Sequence, residues 1–206
     1  DTSYVVKINP QRKGVPDSVM KVVFDKEIGF FTKILPLLNE QLKRSNEALL
    51  RVPRYLHAAT DIGKEVIYME DLRKLGYKMH DRQQPLDRHH AVLIFRELAR
   101  LHASSLFLMN NSDQPKTEVV QKRFPFMKDA TEGSSEVKDR VTKMFAMALV
   151  NTAELLAEVP GYDVVSKILK DKQQEIFDNV SKTDVPTDPF VALCHCDCWN
   201  NNFLFR

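Results

Sequence analysis

Short β-branched and aromatic runs fall almost entirely within the first 70 residues of this chain, and helical periodicity dominates the rest. Tyr4-Val5-Val6-Lys7-Ile8, ended by Asn9-Pro10, predicts a strand. Arg54 to Ala58 and Glu65 to Met69 predict two more, joined by a turn at Asp61-Ile62-Gly63-Lys64. Between the first two strands, Asp17 or Ser18 can cap a helix carrying Val19, Val22, Val23, Phe30, Ile34 and Leu38, which Pro36 should kink or split. Asp87 can cap a long helix to about Met109, with Ala91, Ile94, Leu98, Leu101 and Leu106 inward. A second helix runs from about Ser135 to Val159, with Val137, Val141, Met144, Phe145, Ala148, Leu155 and Leu156 on one stripe, and Pro160-Gly161 ends it. A third carries Val165, Ile168, Leu169, Ile176, Phe177 and Val180. After a polar loop, Phe190 to Cys194 and Phe203-Leu204-Phe205 predict two short strands. Strands first and helices afterwards make the expected class α+β with two lobes, the strand-rich lobe leading.

Composition excludes several functions. The 206 residues are 43% hydrophobic and 28% charged, which suits one medium domain or two small lobes. Thirty basic and 28 acidic residues leave a net charge of +2, which gives no case for a nucleic-acid or membrane-surface partner. No apolar run reaches the roughly 18 residues of a membrane span, and Asp1 to Ile8 does not resemble a signal peptide. The closest glycines, Gly63 and Gly76, lie 13 apart, so no GxGxxG or Walker loop exists in the chain. Cys194, Cys196 and Cys198 form an odd, clustered set that reads as reduced thiols in a cytoplasmic protein. Their alternating spacing fits structural zinc poorly.

The most informative stretch is His195-Cys196-Asp197-Cys198-Trp199-Asn200-Asn201-Asn202. It places a carboxylate and an amide five residues apart in a loop between two apolar runs. Phosphoryl transfer to a hydroxyl needs such a pair: the carboxylate takes the hydroxyl proton, and the amide oxygen reaches a magnesium ion on the phosphates. The kinase catalytic loop has the form H-x-D-x-x-x-x-N, which His195, Asp197 and Asn202 fit without a gap. A solvated turn can carry the same letters by chance, and three neighbouring asparagines widen that chance. Chain order argues the other way. Lys7 sits on the first predicted strand and Glu27 on the next helix, where kinase folds place a phosphate-binding lysine and its glutamate partner. Ile67 to Leu72 is a strand ending in a short link, the setting for backbone recognition of adenine. The Glu70 and Asp71 side chains there read as turn caps.

With these residues in place, the chain resembles the ecdysteroid-kinase-like family, also described as CHK-kinase-like. That family belongs with choline kinases and aminoglycoside phosphotransferases. The resemblance rests on Tyr4 to Ile8, Phe24 to Phe31, Tyr68 to Leu72 with Gly76-Tyr77, Leu98 to Ser104, and Leu193 through Phe205, in family order. It implies a two-lobed protein-kinase-like fold: a nucleotide-binding lobe over 1–69, a hinge and linker over 70–86, and a helical lobe over 87–206. It implies Asp197 as catalytic base, His195 bracing the loop, and Asn202 as a magnesium ligand. Lys7 and Glu27 would serve the phosphates, and Met69, Glu70 and Leu72 the adenine hinge. ATP and Mg2+ would be the cofactors and a small-molecule alcohol, ecdysteroid-like or another hydroxylated lipid or xenobiotic, the acceptor.

Three departures accompany the resemblance. Cys196 stands where the family usually has glycine. Six residues precede Lys7, too few for a glycine-bearing hairpin over the phosphates, and a second metal-binding aspartate would fall beyond Arg206. The expectation is therefore a partial kinase fold, inactive by itself. The alternative is a catalytically inactive kinase-like binding or scaffolding protein. Elsewhere, His102 reads as a hydrogen-bonded core histidine, His89 and His90 as solvated, and Met144, Phe145 and Met147 as core packing.

Overall fold

The computed structural model describes residues 3–11, 13, 17–109, 122–127, 135–181 and 191–206. They divide by packing into two compact units, one within residues 1–127 and 188–206 and one within 128–187. The early strands share a unit with the long helix after Asp87.

The first unit holds an antiparallel sheet of β1 (Tyr4–Ile8), β2 (Tyr55–Ala59) and β3 (Val66–Glu70), in the order β1-β3-β2. Lys7 lies opposite Ile67 and Val5 opposite Met69. Val5 and Lys7 therefore share one face of the sheet. A bulge between Tyr55 and His57 interrupts the β2–β3 ladder. At the far end of β1, Glu65 is fully buried. Its carboxylate accepts Asn9 Nδ2 at 2.6 Å and the Gly63 N–H at 3.1 Å. Burial pushes the Glu65 carboxyl up, but these donors outweigh it, and the net pKa lies below the ordinary value. Gly63 makes this turn possible through its positive φ of 76°.

Helices α1 (Asp17–Gly29) and α2 (Leu35–Arg44) are joined by a π-helical turn over Phe30–Ile34. Pro36 has no N–H to offer the Thr32 carbonyl, and its ring crowds that oxygen. The expected disruption at Pro36 thus takes the form of a widened turn just upstream. Gly29 lies against the Phe126 ring so closely that any Cβ there would overlap it. From the end of the turn onward, Ile34, Leu38 and Leu42 recur at four-residue spacing and are buried. They pack with Leu50, Leu101, Met109, Phe124 and Leu193 into one core. Each such side chain contributes about 1.5–3 kcal/mol when fully buried.

Leu101 and Met109 belong to α3 (Arg88–Met109). Asp87 caps it, accepting the His90 N–H at 2.9 Å. That N–H, and then the His90 ring, hold the Asp87 carboxyl below its ordinary pKa. His90 is not simply solvated: its ring packs on His80 at 4.7 Å and edge-on to Phe205 at 4.5 Å. Phe205 lies in β5 (Leu204–Phe205), which pairs antiparallel with β4 (Lys78–Met79). Residues 191–195 join no strand, and Phe190, where a strand was expected to begin, lies outside the described residues.

The second unit contains α4 (Ser135–Ala157), α5 (Asp163–Asp171) and α6 (Gln173–Ser181). The single third helix expected from periodicity is broken at Lys172. Gly161, at φ 87°, supplies the left-handed residue between α4 and α5. Ser166 Oγ donates to the buried Ala153 carbonyl at 2.7 Å, and Phe145 packs on Phe177. Met144 and Met147 are exposed and do not join that packing, because α4 turns Phe145 and Ala153 inward instead. The side chains of Val137 and Val141 lie outside the described residues.

Candidate active site

Three groups of residues build the site, all within the first unit. The first is an ion pair between Lys7 Nζ on β1 and Glu27 Oε2 on α1. The lysine side chain is 46% exposed, so its ammonium can meet a solvent-borne anion while the glutamate holds it. Its Nζ also sits 6.0 Å from the centre of the buried Phe24 ring.

The second group is the link after β3. Met69 lies opposite Val5 and Tyr55, Glu70 ends the strand opposite Tyr4, and the Glu70 N–H donates to the Arg54 carbonyl at 2.9 Å. Leu72 opens a 3-10 turn over Leu72–Leu75, so its N–H precedes the first hydrogen bond of that turn. Asp71 caps the turn through the Arg73 N–H at 3.1 Å, and its carboxylate also takes Arg73 Nε at 2.8 Å and Ser3 Oγ at 2.7 Å. The Arg73 guanidinium, followed by Ser3, holds this buried carboxyl well below the usual carboxylate range. Gly76, at φ 85°, ends the turn. The Asp71 node is more than a turn cap, because Ser3 lies just before β1 and so ties that strand to the link. Only its D-x-R spacing hinted at this in the sequence.

The third group is the loop from His195 to Asn202. Asn202 Nδ2 donates to both the Asp197 carbonyl, at 2.8 Å, and Asp197 Oδ2, at 2.7 Å. His195 Nδ1 accepts the Asp197 N–H at 3.3 Å. Asp197 is thus fixed from its backbone and from one carboxylate oxygen while remaining exposed. Trp199 flanks it, 52% exposed. Cys196 adopts φ 61°, the left-handed region that favours glycine. This reversal breaks the extended alternation expected of the three thiols, all of which are free and exposed. Packing around the Cys196 sulfur, with Cys194 and Cys198 beside it, pushes its thiol pKa up; Lys26 on α1 offsets part of the effect.

Among the described residues, no side-chain hydrogen bond or ion pair joins the three groups to one another. Nor does any set of three His, Cys, Asp and Glu side chains converge on a metal position there. Magnesium in phosphoryl-transfer sites is ordinarily held by one or two protein oxygens together with phosphate oxygens. Asn202 fits that demand. Its nitrogen is the atom spent on Asp197, and its oxygen makes no hydrogen bond among the described residues.

An α+β chain carrying a strand lysine with a helix glutamate, a capped link and an acid–amide loop, in that order, has the layout of a kinase-like phosphotransferase. The ecdysteroid kinase-like family model matches residues 1–206, and the chain belongs to that family. No curated protein and no solved structure matches it. Among the described residues no helix is long and apolar enough to cross a membrane.

Proposed function

We propose that the protein is an ATP- and magnesium-dependent kinase for a small-molecule alcohol, an ecdysteroid-like or other hydroxylated lipid or xenobiotic, acting in the cytoplasm. The observation that carries this reading is the double donation from Asn202 Nδ2 to Asp197. It orients the carboxylate and keeps an amide oxygen in reserve for a hard cation. Bound ATP and magnesium would supply the γ-phosphoryl group and neutralise its charge. Asp197 would accept the proton of the attacking hydroxyl, and His195 would brace it through the Asp197 N–H. Lys7, held by Glu27, would bind phosphate oxygens. Backbone groups of Met69, Glu70 and Leu72 would receive the adenine.

The test is transfer from γ-labelled ATP to a panel of hydroxylated steroids and lipids by the full-length protein. Asp197→Asn should cut transfer by about 10²–10⁴-fold while Mg·ATP still binds. Unimpaired transfer by that variant ends the mechanism. A wild-type protein that binds Mg·ATP and phosphorylates nothing on the panel would put the inactive binding-protein reading in its place.

A further inference from the structure

We infer that Ser105 is a positioning residue for the Asp197 loop, an inference that rests on Asp197 being the base proposed above. Ser105 lies on α3 with no solvent exposure. Its Oγ donates to the His102 carbonyl at 2.8 Å and accepts the Leu193 N–H at 2.9 Å. The second bond spans 88 residues of chain. One hydroxyl proton given and one lone pair filled fix the direction of both bonds. Its neighbour Ser104, also buried, spends its hydroxyl on the Arg100 and Leu101 carbonyls within the same helix. Of these two buried serines, only Ser105 reaches the segment leading to the loop.

Besides that bond, the segment is held by apolar packing, with Val191 against the core. Leu193 is buried in the core beside Leu101 and Met109, whereas Cys194 to Cys198 are exposed. Beyond the loop, the next backbone anchor is the β4–β5 pairing at Leu204 and Phe205. The loop is therefore strung between two fixed points, and Asp197 stands four residues from the nearer one. A displacement of about 1 Å at Leu193, carried through to the carboxylate, is enough to impair proton transfer.

The experiment compares wild type, Ser105→Ala and Ser104→Ala in the full-length protein by amide hydrogen exchange, acrylamide quenching of Trp199, and phosphate release from Mg·ATP with water as acceptor. Trp199 is the single tryptophan, so its quenching reads this loop alone. In Ser105→Ala the Leu193 amide should exchange about tenfold faster and Trp199 quenching should rise. The kcat should fall while the KM for ATP holds. Ser104→Ala should leave all of these unchanged. The inference is overturned if Ser105→Ala leaves Leu193 exchange unchanged, or accelerates it with no loss of kcat. Should Ser105→Ala not fold, wild-type exchange decides: a Leu193 amide as fast as those of Cys194 to Cys198 sinks the clamp, and a protected one supports it. Exchange and quenching read the clamp without chemistry, and Asp197→Asn reads the base without the clamp, so the two failures are separable.

Discussion

Replacing Cys196 with glycine should stabilise the protein. The residue sits at φ 61°, where an L side chain costs about 1–2 kcal/mol that glycine avoids. Glycine in turn costs about 0.4–1 kcal/mol through the freedom it adds to the unfolded chain. The thiol makes one weak hydrogen bond, to the Cys194 carbonyl at 3.6 Å, and the Cys196→Ala control accounts for the packing of the sulfur. The balance favours glycine by about 0.5–1 kcal/mol. With a urea m-value of about 2 kcal/mol/M, the midpoint should rise by about 0.3–0.5 M at constant m. Trp199 fluorescence is the appropriate probe, because it lies three residues on and reports the unit that carries the loop. Cys196→Ala is the control: it removes the same sulfur but keeps the strained Cβ, and should stay near wild type. A glycine variant no more stable than the alanine variant would refute the reasoning, since the pair differ only in the atom that the left-handed backbone penalises.

Other perturbations read other parts. Lys7→Ala should weaken Mg·ATP binding at least about tenfold yet shift the urea midpoint by less than about 0.5 M, because so exposed a pair adds little stability; unchanged binding would remove Lys7 from the site. Asp71 and Glu65 both titrate below their ordinary values when folded, so their stabilisation is complete above the unfolded carboxylate pKa of about 4 and drains away as pH falls through the folded values. Asp71→Asn should therefore lower stability at neutral pH and flatten its decline in acid, measured as urea midpoints from about pH 6 to about pH 3; an unaltered acid slope would contradict this. Gly29→Ala should cost about 1–3 kcal/mol, because the Phe126 ring must yield. Adding Phe126→Leu should recover part of that loss, and a neutral Gly29→Ala would show that the ring moves freely.

Much of the local architecture was legible in the sequence, for identifiable reasons. Short apolar runs bounded by Asn-Pro and Asp-x-Gly marked β1, β2 and β3 to within a residue or two, and Asp87 announced α3, whereas β4 gave no signal and residues 191–195 form no strand. Motif order brought Lys7 and Glu27 to notice, but only the fold makes them an ion pair, since nothing in their own segments encodes the approach of α1 to β1. The break at Lys172 carries no proline or glycine to signal it. His90 read as solvated because its neighbours Phe205 and His80 arrive through the β4–β5 pairing, which local periodicity cannot express. Ser105 looked like any small helical residue. Its partner lies 88 positions away, and the signal was only that a serine occupied an inward face among leucines.

The π-turn at Phe30–Ile34 sets a phase. The backbone stays helical through Gly29 and on into Leu35, so Glu27 and the Ile34, Leu38, Leu42 stripe lie on one unbroken spiral while serving different neighbours. One residue corresponds to about 100° of rotation. A π-turn fits one extra residue into a single turn, so deleting one residue between Phe30 and Ile34 would restore α pitch and leave Glu27 and the Leu38, Leu42 stripe close to their present phase. The same deletion at Leu37, in ordinary α-helix, would swing the stripe by about that angle against Glu27. In the first case Lys7 keeps its partner; in the second it loses it, or the stripe leaves Leu101 and Leu193. Across descendants of this gene, the turn should accept the loss of one residue far more readily than the helical stretches on either side of it.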